Sequence, residues 1–402
     1  MLPYSRPIRA AAVCCLAASV VVGCSSTTEP RTASPTSTTT TPASQYDLTG
    51  VPGTVLEYED FGDRSSELAN TGATLYRFVY ESSSGVDNSP TAVSGVAAVP
   101  PGTPPEGGWP IVVFGHGTTG VQADCGPSLY PDLLGYHYAV KDYTELGAVT
   151  VLPDYQGLGT GGGTHPYLEP RTSGKNMIDA ARAAHSAIPA TSARWAAVGL
   201  SQGGQAAWAA NELAATYGQG LDLVGSLSLS PPTDLTPLIS AETNGTLTTP
   251  QKGLVPYLLY GAQQVDPAID PKDHSGSVAQ ANSELLLSCQ GGDTEGKARA
   301  IQAMAPDEFA ADSAESEQKL LDVIDRYTLP QVRTDVPMFV AYGGKDDVVL
   351  PQWTADGIQK ACALGDVVVA QPQPDNGHDV GDEAGIEFIA DRFAGKPVTS
   401  TC

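Results

Sequence analysis

Short apolar runs alternate with longer amphipathic stretches along most of the chain, from about residue 70 onwards. The runs at 111–114, 148–152 and 195–200 are almost continuously apolar, which is typical of strands buried on both faces of a sheet. The stretches at 175–188 and 203–217 instead place small or apolar residues at helical spacing. Strands that alternate with helices predict an α/β fold, in which helices cover both faces of a mostly parallel sheet.

The complete pattern predicts eight strands and four core helices. The strands are predicted at 73–81, 91–99, 111–114, 148–152, 195–200, 223–229, 336–342 and 367–369. The helices are predicted at 175–188, 203–217, 351–363 and 385–393.

The section 231–330 departs from this alternation, because it contains helical stretches but no clear strand. Long insertions at the functional edge of a sheet often cover the site. We therefore interpret 231–330 as a cap, and 46–230 with 331–402 as the core. A structural side domain without a gating role is the alternative.

The first 45 residues differ in composition from the rest. Arg6 and Arg9 precede a short apolar run at 10–22, which predicts a secretory signal peptide over 1–23. The run closes with Val21-Val22-Gly23-Cys24, which resembles the bacterial lipoprotein box and implies a lipid on Cys24. An ordinary signal peptide is the alternative.

Residues 25–44 are mostly Ser, Thr and Pro, so we predict that 24–45 is a lipidated extended tether. It would anchor an exported protein to the outer face of the cytoplasmic membrane, unless the protein is released to the exterior. The net charge of −24 argues against nucleic acid as a partner and against electrostatic binding to anionic lipid.

The cysteines fit an exported protein. Cys14 and Cys15 would leave with the signal peptide, and four cysteines remain beyond Cys24: Cys125, Cys289, Cys362 and Cys402. They predict two disulfides, with three possible pairings. A Cys362–Cys402 pair would fix the chain end to the body and leave Cys125 with Cys289. No Cys and His spacing resembles a zinc site, so we predict no metal and no cofactor.

The stretch Gly199-Leu200-Ser201-Gln202-Gly203 lies between a predicted strand and a predicted helix. This layout is typical of a nucleophile elbow, in which a tight turn exposes a serine hydroxyl above the sheet. Glycines flank such a serine because the turn leaves no room for side chains. A glycine-rich turn without chemistry is the alternative, since the chain contains 43 glycines.

A serine nucleophile needs a general base and an acid, in the chain order Ser, acid, His for this kind of sheet. His274 and His378 both follow Ser201, but His274 lies in the predicted cap. His378 follows the last strand and is the predicted base. The frame Gly344-x-x-Asp347-x-x-x-Pro351 favours Asp347 as the acid, and Asp346 is the alternative acid.

The oxyanion of the reaction needs preset hydrogen-bond donors. We predict that the backbone N–H of Gln202 is one donor. The second would come from Thr118 or Thr119, through backbone or hydroxyl, in the loop after the strand at 111–114. We interpret His116 as a residue that organises this loop.

Several blocks together resemble the secretory lipase family of α/β-hydrolases, which includes the fungal lipase A type. The blocks are His116-Gly117-Thr118-Thr119-Gly120, Cys125-Gly126-Pro127-Ser128, Asp154-Tyr155-Gln156-Gly157-Leu158-Gly159, His165-Pro166-Tyr167-Leu168, Asp179-Ala180-Ala181-Arg182-Ala183-Ala184 and Gly199-Leu200-Ser201-Gln202-Gly203-Gly204. The resemblance continues to Asp347, Cys362 and His378, so it spans the folded body. Leu200 departs from it, because the family often has Tyr or His there.

The resemblance implies an α/β-hydrolase fold with a helical cap after the sixth strand, no metal, and the disulfides Cys125–Cys289 and Cys362–Cys402. It also implies lipase or carboxylesterase activity on an ester or lipid. We predict a serine hydrolase of carboxylic esters that works through an acyl-enzyme. The alternatives are an acyltransferase, a serine peptidase, an esterase of polysaccharides or polyesters, and a noncatalytic lipid-binding lipoprotein.

Overall fold

The computed structural model describes residues 46–62 and 66–402. The predicted signal peptide, Cys24 and the tether at 24–45 lie outside these residues, so they stay predictions. Within the two described ranges, no helix combines the length and the apolar character needed to cross a membrane.

Nine strands and twelve helices are found in the described residues. The strands are β1 (Val55–Asp60), β2 (Thr74–Ser83), β3 (Pro90–Val99), β4 (Trp109–Gly115), β5 (Val149–Pro153), β6 (Thr191–Leu200), β7 (Asp222–Leu229), β8 (Met338–Gly343) and β9 (Val368–Gln373). The helices are α1 (Ser66–Ala69), α2 (His137–Glu145), α3 (Pro170–Ala187), α4 (Gln202–Tyr217), α5 (Thr236–Thr243), α6 (Thr249–Val265), α7 (Ser277–Ala281), α8 (Ser283–Leu287), α9 (Thr294–Ala303), α10 (Ala314–Asp325), α11 (Pro351–Leu364) and α12 (Glu383–Phe393).

All nine strands join one sheet in the order β1-β2-β3-β5-β4-β6-β7-β8-β9. The pairs among β1, β2, β3 and β5 are antiparallel, and the pairs from β5 through β9 are parallel. The mostly parallel α/β sheet is therefore confirmed. The carboxyl ends of β6, β7 and β8 lie side by side, which is where ligands bind in such sheets.

Successive residues of the central strands face opposite helical layers, because side chains alternate across a strand. In β8, Met338 and Val340 pack in an apolar cluster with α4 and α11, whereas Phe339 and Ala341 pack with α12. In β4, Val113 belongs to the cluster with α3 and α4. The sheet is thus buried on both faces, as its continuous apolar runs predict.

The section between β7 and β8 contains helices α5 to α10 and no strand among the described residues. These helices share an apolar cluster of their own, which also includes the core residues Tyr167 and Trp353. The insertion therefore packs directly on the core.

The insertion follows β7, which is the seventh strand of the chain. The sequence pattern did not predict β1, so β7 is the sixth of the predicted strands. The residues of β1 are largely polar and exposed, since this strand lies at the edge of the sheet. The strand counted as sixth in the sequence is β7, and the place of the insertion is unchanged.

Candidate active site

Ser201 occupies a strained turn between β6 and α4. Its backbone has φ 56° and ψ −118°, a left-handed conformation that non-glycine residues seldom adopt. Its N–H donates to the carbonyl oxygen of Leu229 at the end of β7, at 2.8 Å. This hydrogen bond and the start of α4 hold the strained conformation in place. The turn therefore places Ser201 at the edge of the sheet, as a nucleophile elbow requires.

The flanking glycines are required by close packing of the backbone. A side chain on Gly199 would overlap the carbonyl group of Gly203, and one on Gly203 would overlap the carbonyl group of Gly115. The first turn of α4 therefore lies directly on the ends of β4 and β6. This contact explains why the sequence has glycine on both sides of Ser201.

His378 lies in the loop between β9 and α12, and it faces an aspartate that follows β8. Its Nδ1 lies 2.8 Å from Oδ2 of Asp346. The side chain of Asp346 is 1% exposed and that of His378 is 20% exposed, so the histidine separates the carboxylate from the cavity. The hydroxyl of Ser230 donates to the carbonyl oxygen of His378 at 2.7 Å and fixes the loop.

Asp347, which the sequence analysis favoured as the acid, is not the partner of His378. Its side chain is exposed, and Asp346 occupies the position beside the imidazole. Oδ1 of Asp346 accepts hydrogen bonds from the N–H groups of Val348 at 2.9 Å and Val349 at 3.0 Å. The turn after β8 therefore folds around Asp346, which places the next residue outward.

The predicted oxyanion residues do not share one environment. Gln202 begins α4 and is buried, and its Nε2 lies 2.9 Å from Nε2 of His165. Thr118 lines the cavity beside Ser201, whereas Thr119 is buried and does not line it. The structure thus brings Gln202 and Thr118 to the site and favours Thr118 over Thr119.

His116 is buried behind this loop. Its Nδ1 lies 2.6 Å from the carbonyl oxygen of Gly117, and its Nε2 lies 3.2 Å from that of Asp154. Burial lowers the pKa of His116 to about 4. These contacts agree with the predicted role of His116 in organising the loop.

A cavity of about 520 Å³ opens at the carboxyl end of the sheet and is lined by both Ser201 and His378. The insertion contributes apolar residues from α6, α8 and α9 to its wall, among them Leu254, Leu286 and Ile301. A wall that combines apolar side chains with polar groups such as Ser201 and His378 is typical of a small-molecule site.

Lys297 of α9 also lines this cavity, and the sequence analysis did not identify it. Its Nζ donates to the hydroxyl of Tyr257 at 2.8 Å, to the carbonyl oxygen of Ser288 at 2.6 Å and to that of Cys289 at 3.1 Å. All three ammonium protons are therefore used within the insertion, and burial lowers the pKa of the lysine.

Both predicted disulfides are present. Cys125–Cys289 joins the region after β4 to the insertion, across a sequence separation of 164. Cys362–Cys402 joins α11 to the chain end, across a separation of 40. The first disulfide thus joins the insertion to the core near the loop that holds Thr118.

The sheet order, the strained serine turn and the helical insertion define an α/β-hydrolase. Residues 137–401 match the model of a family described as secretory lipase. The match covers well over half of the chain, so the protein belongs to the secretory lipase family and is a carboxylic ester hydrolase. The secretory character of the family agrees with the predicted export.

Solved structures share the fold at low sequence identity. Candida antarctica lipase A in its closed state is 16% identical, with a TM-score of 0.69 over 87% of this chain and 84% of that chain. A rice cell wall degrading esterase, LipA from Xanthomonas oryzae, is 22% identical, with a TM-score of 0.65 over 86% of this chain and 99% of that chain. No curated protein sequence matches the chain at a significant level.

Proposed function

We propose that the protein hydrolyses carboxylic esters through an acyl-enzyme on Ser201, with His378 as general base and Asp346 as the acid that orients it. The observation that carries the proposal is the pairing of His378 with buried Asp346 at the edge of the cavity that Ser201 also lines. A base that is oriented by a third group and lines the same cavity as a serine is the arrangement expected for an activated serine nucleophile.

The reaction has two balanced steps. Ser201 Oγ forms a bond to the ester carbonyl carbon while its proton passes to Nε2 of His378, and the departing alkoxide then takes that proton. Water next attacks the acyl-enzyme and gives a proton to the same nitrogen, which returns it to Ser201 as the carboxylic acid leaves. Asp346 accepts from Nδ1–H of His378 and stabilises the imidazolium between these transfers.

The proposed substrate has an apolar acyl chain, because cap residues such as Leu254 and Ile301 form much of the cavity wall. In this proposal 231–330 is the cap, and 46–230 with 331–402 is the core. The activity of the protein toward aryl esters of graded acyl length, with and without a lipid interface, measures this preference.

The assignment of the nucleophile is tested by Ser201→Ala on a panel of aryl esters. We expect kcat to fall by at least about 10³-fold, because removal of a serine nucleophile removes the acyl-enzyme route. A serine-reactive phosphonate should label Ser201 in the unmodified protein. Ser186→Ala, which changes an exposed serine of α3, is the matched control. Unchanged hydrolysis by Ser201→Ala would show that another group attacks the ester.

We further propose that a lipid on Cys24 anchors the protein to the outer face of the cytoplasmic membrane. The support is the sequence Val21-Val22-Gly23-Cys24 followed by the Ser, Thr and Pro tether. Expression with a radiolabelled fatty acid should label the protein but not Cys24→Ser. Equal labelling of the two proteins would contradict the anchor without affecting the proposal for Ser201.

A further inference from the structure

The segment His165-Pro166-Tyr167 lies behind both candidate oxyanion residues, and the catalytic proposal gives it no role. Nε2 of His165 lies 2.9 Å from Nε2 of Gln202, and the hydroxyl of Tyr167 lies 2.5 Å from Oγ1 of Thr118. We infer that His165 and Tyr167 are positioning residues that set the two oxyanion donors, and that the second donor is the hydroxyl of Thr118. This inference rests on the proposed function.

The hydrogen bonds of His165 define its tautomer. Its Nδ1 lies 2.8 Å from the carbonyl oxygen of Gln156, so Nδ1 carries the proton and donates it. Burial lowers the pKa of His165 to about 3, so the ring is neutral at pH 7 and Nε2 has a free lone pair. Nε2 therefore accepts from the side-chain amide of Gln202. This bond holds the residue whose backbone N–H is the first oxyanion donor.

The direction of the bond between Tyr167 and Thr118 follows from their surroundings. Tyr167 is buried, and in the part of the chain that the structure describes its hydroxyl has only the Thr118 oxygen as a hydrogen-bond partner. A buried hydroxyl proton without an acceptor would be costly, so Tyr167 donates. The proton of the Thr118 hydroxyl is then free for a ligand in the cavity, which Thr118 lines.

Packing from the cap keeps the segment in place. The ring of Tyr167 lies 6.0 Å from that of Tyr257 in α6 and 6.0 Å from the ring of His165. A side chain on Gly261 of α6 would come within 2.6 Å of the backbone nitrogen of Tyr167, so only glycine permits this approach. Helix α6 therefore packs directly against the segment His165-Pro166-Tyr167, which contacts Gln202 and Thr118.

The first test compares Tyr167→Phe with Tyr80→Phe. Tyr80 is also buried, and its hydroxyl donates to the carbonyl oxygen of Asn176 at 2.8 Å, within the core. Direct loss of an oxyanion donor lowers kcat about 10²–10³-fold, so we expect an indirect loss of about 10-fold for Tyr167→Phe, with KM within about twofold. Affinity for a boronic acid inhibitor should fall by the same factor. Tyr80→Phe should lower the thermal midpoint similarly and leave kcat unchanged.

The second test asks whether each residue acts through its partner. Tyr167→Phe should change kcat by less than about twofold when Thr118 is already Val, because the mediating hydroxyl is absent. Gln202→Leu removes the amide that His165 holds but keeps the backbone N–H. It should lower kcat several-fold at constant KM, and its effect should multiply with that of Tyr167→Phe.

The inference is wrong if Tyr167→Phe lowers kcat equally in the Thr118→Val and unmodified backgrounds, or if it lowers only the thermal midpoint. It is also wrong if Gln202→Leu leaves kcat unchanged. These outcomes differ from failure of the proposed function, which would appear as full activity in Ser201→Ala.

Discussion

Asp346→Asn provides the sharpest test of the proposed triad, because the structure fixes which way the new amide must face. Oδ1 of Asp346 accepts from the N–H groups of Val348 and Val349, and Oδ2 faces Nδ1 of His378. An asparagine keeps its oxygen toward the two N–H donors, so its NH₂ group faces Nδ1. His378 then carries its proton on Nε2 and cannot accept the proton of Ser201.

The expected loss in kcat is about 10⁴-fold, as for the same change in a serine protease triad. That factor corresponds to about 5.4 kcal/mol of lost transition-state stabilisation. KM should change by less than about threefold and the thermal midpoint should stay close to that of the unmodified protein, because both backbone hydrogen bonds remain. Steady-state kinetics on a soluble aryl ester and a thermal melt measure these quantities.

Asp347→Asn is the matched control, since it removes one carboxylate at the adjacent, exposed position. We expect it to retain at least about half of the activity, because removing an exposed charge changes little. An inactive Asp347→Asn beside an active Asp346→Asn would refute the assignment of the acid.

Three further outcomes are expected. Burial raises the pKa of Glu212 from 4.5 to about 7, so the unfolded chain loses this proton first as pH rises and the free energy of unfolding declines between those two pH values. Urea unfolding at pH 4.5 and at pH 8 measures this decline, which should be smaller by roughly 3 kcal/mol in Glu212→Gln. Equal pH dependence in both proteins would contradict the shift. Replacing Cys125 and Cys289 by serine opens the loop of separation 164 and should lower the free energy of unfolding by about 5 kcal/mol; a loss below about 1 kcal/mol would contradict this. Leu286 lines both the cavity that contains Ser201 and a second cavity of about 390 Å³, so Leu286→Ala should enlarge the space between them and move the substrate preference toward longer acyl chains. The same shift in the control Leu285→Ala would refute a specific role of Leu286.

The core of the fold was predictable because its strands are buried on both faces. A short, continuous apolar run such as 111–114 is typical of a buried strand. The glycines around Ser201 indicate the strand-to-helix turn. Helix α6 was not predicted, because Gly253, Pro256 and Gly261 lower its helix propensity. Its start did have a signal, since Thr248 and Gln251 form a capping box.

The geometry of the candidate site was predictable only where chain order decides it. Ser201 and His378 follow from their places after strands. The choice between Asp346 and Asp347 depends on how the turn after β8 folds around two backbone N–H groups, which a count of residues from a glycine to a proline cannot capture. His165 contacts Gln202, which lies 37 positions away, and Tyr167 contacts Thr118, which lies 49 positions away. The sequence around His165 and Tyr167 therefore did not indicate these contacts.

The cap is bonded to the core at both sides of the proposed reaction centre. At the N-terminus of α6, the hydroxyl of Thr248 donates to the carbonyl oxygen of Asp347 at 2.7 Å, and Gln251 donates to that of Val348 at 3.1 Å. At the other side, the N–H of Gln290 donates to the carbonyl oxygen of Thr119 at 2.7 Å, next to the disulfide of Cys289. The two hydrogen bonds from Thr248 and Gln251 link the start of α6 to the turn that holds Asp346. The position of this helix and the position of Asp346 beside His378 are therefore coupled.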